Sequence, residues 1–267
     1  GRGARDGGVA SAAGDGSEVP AANYFLAIPT GEDLTETTAQ LFMGSRINCA
    51  KCHNHPFENW TQNDYYRISA VFARVKKEGD DVVLTPTGET KHPNSGQVMT
   101  PFAATAGPDA KADRRAAFAA WLTRAGNPFF ARVEANRIWA GLFGRGIVDP
   151  VDDFRSTNPP ANPELLDALA AEFEKSGFDR KHLIRAICAS RAYQRSTATT
   201  PLNADDDVLA SHALVRRLSA EQILDAVGLV TGGLKPVAEL TEELKKRRGE
   251  LADAEAKLNA DFDKWAA

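Results

Sequence analysis

Residues 162–189, NPELLDALAAEFEKSGFDRKHLIRAICA, decide the fold class. Asn162 is a helix-capping residue type, and Pro163 occupies the one helical position where a missing N–H costs nothing. Leu165, Leu166, Leu169 and Phe173 then recur at helical spacing, so they share one face. Gly177 ends this helix. Asp179 opens a second one, whose apolar stripe is Leu183, Ile184 and Ile187. The stretch therefore predicts two short helices joined by a tight turn.

The same grammar extends outward. Upstream, Phe118, Trp121, Leu122 and Ala125 repeat at i, i+3, i+4 and i+7, and Asn127-Pro128 closes that helix and opens the next. Downstream, Ser219 and Gln222 form a capping box, with Leu218 and Ile223 spaced as a hydrophobic staple. From about Leu240 the chain is a charged helix with Leu244, Leu251, Leu258 and Trp265 seven residues apart. Arg247 and Asp261 occupy the other register, which favours a surface helix or an antiparallel hairpin arm over a long parallel coiled coil. Nearer the front, Asp33 is the expected cap of a helix carrying Leu34, Leu41 and Phe42 and ending at Gly44. Thr61 caps another, with Asp64 three residues on and Tyr65, Ile68, Phe72 and Val75 as its stripe. Val82, Val83 and Leu84 lead into Pro86-Thr87-Gly88, a turn signal for a small hairpin. Residues 92–107 read as loop.

These signals predict a mostly α protein of two small helical units, with a minor β-hairpin in the first and a charged C-terminal helix. The expected division is a flexible lead-in over 1–20, a first unit over 21–107, a second over 108–233 and the tail over 234–267. A chain of 267 residues is long enough for a hydrophobic core. Its net charge of −4 has both signs interspersed, so no basic stripe is available to track a nucleic-acid backbone. No apolar run approaches the roughly 20 residues that a membrane-spanning helix needs.

Three cysteines do not make a disulfide framework. Cys188 stands alone in an amphipathic helix and reads as a small buried hydrophobe. Cys49 and Cys52 belong instead to Cys49-Ala-Lys-Cys52-His53, the attachment signature of c-type haem. Side chains three apart share a face of a helical turn. Both thiols can thus add to the two vinyl groups of one porphyrin, and the adjacent His53 lies beneath the ring as the proximal iron ligand. Met99 and His92 lie far enough downstream to approach from the distal side and are the two candidate distal ligands. Zinc is the alternative, with Cys49, Cys52, His53 and His55 as four ligands of the type a tetrahedral structural site uses. Phe57 and Trp60 are placed either to line a haem edge or to serve as core. A second cluster, Asp149-Pro-Val-Asp152-Asp153-Phe-Arg155, could bind a hard cation. It reads more simply as a loop organised by salt bridges to Arg137 and Arg145, with Glu134, Asn136 and Arg137 close by on the preceding helix.

With these motifs in view the chain resembles the planctomycete cytochrome c-type families of unknown function, which join a CxxCH-containing N-terminal half to a helical C-terminal half. The first half is carried by AQLFMGSRINCAKCHNHPFENWTQNDYYRISAVFARV. The second is carried by NPFFARVEANRIWAGLFGRGIVDPVDDF, by residues 162–196 and by LVRRLSAEQILDAVGLVTGG. The resemblance implies an exported periplasmic or cell-envelope protein with haem c, attached through Cys49, Cys52 and His53, and an export signal upstream of Gly1. The chain is accordingly read as a mature protein or a piece of a longer precursor. It supplies no reaction. The leading functional expectation is electron transfer or redox sensing through one haem, with a redox or cell-envelope partner. Two alternatives stand beside it: a zinc-stabilised binding module without enzymatic activity, and a hydrolase or oxidoreductase with its site between the two units.

Overall fold

A computed structural model describes residues 10–11, 21–28, 30–78, 81–103, 113–232 and 237–266. The protein is mostly helical, with one small antiparallel sheet. Its residues group into two compact units, Gly1–Leu214 and Val215–Ala267.

The first unit opens with a two-residue strand, β1 (Ala10–Ser11), and a short helix, α1 (Ala22–Ala27). Ala10 and Ser11 thus pair with a later strand, although they fall in the stretch expected to be a flexible lead-in; the rest of that stretch, 1–9 and 12–20, lies outside the described residues. Helix α2 (Gly31–Met43) is capped one turn earlier than the sequence suggested. The Thr30 hydroxyl accepts from the Asp33 backbone N–H at 3.0 Å and donates to its carboxylate at 2.6 Å, so Asp33 is the third helical residue, not the cap. Gly44 ends α2 in the left-handed region, as expected. Helix α3 (Gln62–Phe72) carries the full capping box of Thr61 and Asp64.

Val75 does not extend the α3 stripe. It starts strand β2 (Val75–Glu78), which pairs with β3 (Asp81–Leu84), and β1 adds to the other edge of β3. The hairpin strands are therefore Val75–Glu78 and Asp81–Leu84, so Pro86-Thr87-Gly88 lies beyond the second strand and not between the two; residues 79–80 lie outside the described residues. That second turn folds back on α3 instead. The Thr85 N–H donates to the Arg74 carbonyl at 2.9 Å, and a Cβ on Gly88 would lie 2.4 Å from the Ala73 carbonyl oxygen. The loop expected over 92–107 is irregular up to residue 103 apart from one bridge at Lys91 and Val98; residues 104–107 lie outside the described residues.

Helices α4 (Arg114–Leu122), α5 (Phe130–Phe143), α6 (Pro163–Lys175) and α7 (Arg180–Ala189) follow. Asn162 caps α6, with Pro163 leading it, and Asp179 caps α7 through the Lys181 and His182 N–H groups. Two apolar clusters result. Leu34, Met43, Ile47, Ala50, Tyr65, Ile68 and Val71 form the first, and Phe118 and Leu122 of α4 join it. The division at 107/108 thus passes ahead of a helix whose apolar face belongs to the first cluster. The second cluster gathers Ala135, Ile138, Val148, Leu166, Phe173, Leu183 and Ile187. Phe130 packs on both. Cys188 sits beside this core half-exposed, less buried than its neighbours Leu183 and Ile187.

The second unit contains α8 (Ala220–Thr231) and α9 (Val237–Ala266). Ser219 and Gln222 form the expected reciprocal cap of α8, while Leu218 and Ile223 stay exposed. Leu244, Leu251 and Leu258 of α9 are exposed, and Arg247–Glu243 pairs at i,i+4 support the helix at 3.1 Å. A charged surface helix is what the sequence led us to expect.

Candidate functional site

The Cys/His segment is held out from the first core by two anchors. Ile47 and Ala50 are fully buried, and between and beyond them the chain makes a 3-10 turn, Asn48–Lys51. A 3-10 turn has three residues per revolution, so side chains three apart eclipse. Cys49 and Cys52 therefore leave the same side of the turn, and both are exposed. The His53 N–H closes back on the Cys49 carbonyl at 3.3 Å. Gln62 and Tyr66 of α3 fix the turn from behind. Gln62 Nε2 donates to the carbonyls of Lys51 at 3.0 Å and Cys52 at 3.1 Å, and the Tyr66 hydroxyl donates to the Lys51 carbonyl at 3.1 Å. In front, Asn48 donates to Glu36 at 2.6 Å and Lys51 pairs with Glu32 at 2.5 Å.

Hydrogen bonding separates the three nearby histidines by tautomer. His53 Nδ1 lies 2.8 Å from the Asn54 carbonyl oxygen. A carbonyl only accepts, so Nδ1 carries the proton and in the neutral ring the lone pair is on Nε2. The other two are arranged the opposite way. His55 Nδ1 accepts from the Phe57 N–H at 3.2 Å, and His92 Nδ1 accepts from the Asn94 and Ser95 N–H groups at 3.3 and 3.4 Å. In each of these neutral rings the proton is on Nε2. His53 alone among the three is poised as a ligand in the way metal-bound histidines usually are, with Nδ1–H fixed by a carbonyl.

Of the candidate distal ligands, His92 is the one whose loop touches the residues bracing the Cys turn. Its ring packs edge-on against Tyr66 at 5.7 Å, and Asn94 of the same loop donates to Gln62 at 3.1 Å, so the loop leans on the residues that brace the Cys turn. Met99 is 7 % exposed and buried. Among the described residues no three His, Cys, Asp or Glu side chains converge to hold a metal ion. Trp60 packs with Phe102 and Phe129 in the first core, whereas Phe57 is 65 % exposed beside His55.

The second motif cluster meets the first. Asp152 accepts from Gln40 and pairs with Arg46 at 2.7 Å, and Asp153 pairs with Arg155 at 2.8 Å. These partners differ from those expected, since Arg137 instead pairs with Glu134 and donates to the Leu41 carbonyl, and Arg145 faces Asp207. The Phe154 N–H donates to the Gly44 carbonyl at 2.9 Å, and the Ser156 N–H donates to Glu58 at 2.8 Å. Gly44 has to be glycine here twice over: its φ is +61°, and a Cβ would sit 2.6 Å from the Phe154 ring. Arg46, His55, Glu58 and Asp153 consequently line one small cleft of about 70 Å³.

Asp152 titrates below the ordinary carboxylate range: burial pushes it up, and the hydrogen bonds from Gln40 and Arg46 more than reverse this. A depressed folded-state value means that the stabilisation is present at neutral pH and is lost as pH falls through that value. Asp152→Asn should therefore lower stability by about 1 kcal/mol at pH 7, because Arg46 is half in water and the pair is screened. Thermal melts at neutral and acid pH check this, and the difference from the parent should close below about pH 4.

The family model PSD1, a protein of unknown function (DUF1553), matches residues 114–258. PSCyt2, likewise a protein of unknown function (DUF1549), matches residues 15–77, the stretch that holds the Cys/His turn. No curated protein and no solved structure matches the chain.

Proposed function

The chain belongs to the PSD1 family of proteins of unknown function (DUF1553), and we propose that Cys49, Cys52 and His53 attach one haem c for electron transfer or redox sensing. The observation that carries this reading is the His53 tautomer, with Nδ1 committed to the Asn54 carbonyl, which leaves the lone pair of the neutral ring on Nε2. One axial nitrogen and two thiols on one side of an exposed turn are what covalent haem asks of a protein. Zinc would ask more. It needs four ligands around one point, and His55 would first have to give up the bond that its Nδ1 accepts from the Phe57 N–H.

In this reading Cys49 and Cys52 would hold the haem through thioether bonds made by adding each S–H across a vinyl group, with no net oxidation or reduction, and His53 Nε2 would bind its iron. The bound haem would supply one-electron exchange. Gln62 and Tyr66 hold the turn in place, and Phe57 offers apolar surface beside it. Haem c is assembled outside the cytoplasm, so the proposal carries with it a periplasmic or cell-envelope location and a redox protein as partner.

Production in a periplasm with a cytochrome c maturation system tests this. The protein should be coloured, with a Soret band that His53→Ala shifts or abolishes. Met99→Leu and His92→Ala should leave covalent attachment intact, because the bonds to the haem are made by Cys49 and Cys52 alone. A colourless protein carrying one zinc per chain would overturn the proposal.

A further inference from the structure

Helix α9 is 30 residues long, longer than the helices that usually build a globular core. Leu244, Leu251 and Leu258 recur on it every seventh residue and are 59, 60 and 69 % exposed, so this apolar stripe is left largely uncovered. With the leucines at position a of a heptad, position d holds Arg247 and Ala254. Position e holds Arg248 and Glu255, and position g holds Glu243, Glu250, Lys257 and Lys264. Glu243 and Glu250 pair along their own helix with Arg247 at 3.1 Å and Lys246 at 3.9 Å. Among the described residues Arg248, Glu255 and Lys257 make no ion pair within the helix.

The charges beside the stripe choose a partner and an orientation, as e and g charges do in paired helices. Two parallel copies in register would set Arg247 against Arg247 and Glu250 beside Glu255. Two antiparallel copies instead face each a with a d, and bring e beside e and g beside g. Centring such a pair between Ala252 and Asp253 lays Leu251 on Ala254, whose small side chain lets the helices approach. It also lays the aliphatic stem of Arg247 on Leu258. Arg248 then falls beside Glu255 of the second copy, Glu250 beside Lys257 and Glu243 beside Lys264, each pair occurring twice by symmetry. Sliding one heptad one way sets Arg248 and Glu250 each against itself. Sliding the other way does the same to Glu255 and Lys257.

We propose that α9 is a self-association surface, on which a second copy of this chain packs antiparallel about a twofold axis between Ala252 and Asp253. The surface belongs to the second unit, and its pairing does not depend on what the Cys/His turn holds.

Sedimentation equilibrium of the full chain at low salt tests this. Few layers are buried, so a monomer–dimer equilibrium with a Kd on the order of 100 µM is expected. Glu255→Arg and Arg248→Glu each place like charges at both symmetric sites, and each should weaken the dimer about tenfold. The double variant restores unlike pairs and should return to the parent's Kd. Leu251→Asn should abolish dimerisation. All three positions are exposed, so circular dichroism should show the helix content unchanged. A parallel pair would answer Glu255→Arg in the opposite sense, because Glu250 would then gain a partner. A monomer up to about 1 mM, a dimer indifferent to both single charge reversals, a dimer tightened by Glu255→Arg, or no recovery in the double variant would overturn the proposal.

Discussion

Glu89→Gln should destabilise the protein by about 2–3 kcal/mol at pH 7, because it strands a buried arginine. Arg114, at the start of α4, is 7 % exposed and donates to the Ala70 carbonyl at 3.0 Å and the Gly88 carbonyl at 3.1 Å. Its Nη2 is shared by both oxygens of Glu89 at 2.8 Å, and Arg74 reaches the same carboxylate at 2.9 Å. A glutamine amide halves the acceptors and removes the compensating charge. The upper end of the usual range for broken buried pairs is not reached, since Glu89 keeps about a third of its side chain in water. Burial pushes the Glu89 carboxyl up, but the two arginines hold it below the ordinary range. Its contribution is therefore full above about pH 4.3 and disappears as pH falls through the depressed value. Chemical denaturation from pH 7 downward should show the largest difference between parent and variant at neutral pH and a progressively smaller one as the pH falls below about 4.3.

Asn136→Ala should cost about 3 kcal/mol, from three lost hydrogen bonds and two buried backbone groups left without partners. Asn136 is fully buried on α5. Its amide donates to the Val148 carbonyl at 2.8 Å and to the Val151 carbonyl at 3.4 Å, and its oxygen accepts from the Val148 N–H at 2.9 Å. One side chain thus stands in for a β-partner to the loop after α5. Gly146 lets that loop approach, since a Cβ there would come within 2.1 Å of the Val148 carbonyl oxygen. The same loop carries Asp152, Asp153, Phe154 and Arg155, so the variant should also raise amide exchange over residues 147–155 well before it does so in α3. Unchanged protection in that loop would mean that Asn136 is not what fastens it.

Much of this architecture is legible in the sequence, because it is written in local signals. Thr61 with Asp64, Ser219 with Gln222, Asn162 with Pro163, and Asp179 each mark a helix start within a few residues of chain, and each does so in the structure. The readings that shifted were those with two adequate local answers. Thr30 and Asp33 are both capping types, and the hydroxyl takes the position because its own oxygen also anchors the Asp33 carboxylate. Val75 continues the α3 period but pairs with Leu84. Pro86-Thr87-Gly88 is a turn, though it packs on Ala73 and not between strands.

Partners distant in sequence could not be read from one chain. Asp152 lies 106 residues from Arg46, and Ser156 lies 98 from Glu58. Nothing in the local spelling selects Arg46 over Arg137 or Arg145 as the partner of Asp152. The bracing of the Cys turn by Gln62 and Tyr66 was equally hidden, since both residues sit at unremarkable positions of α3. The Cys-x-x-Cys-His spacing itself was plain, and what the structure adds is the tautomer: the carbonyl of the next residue, Asn54, at His53, and backbone donors at His55 and His92.

The mass of the chain after full denaturation, from a host that exports it and matures c-type cytochromes, decides whether haem is attached at the Cys/His turn. One haem-sized increment that survives acid and extraction is expected, and it should be lost when Cys49 and Cys52 are both replaced by Ser. An unmodified mass under conditions that load a control cytochrome c would contradict it.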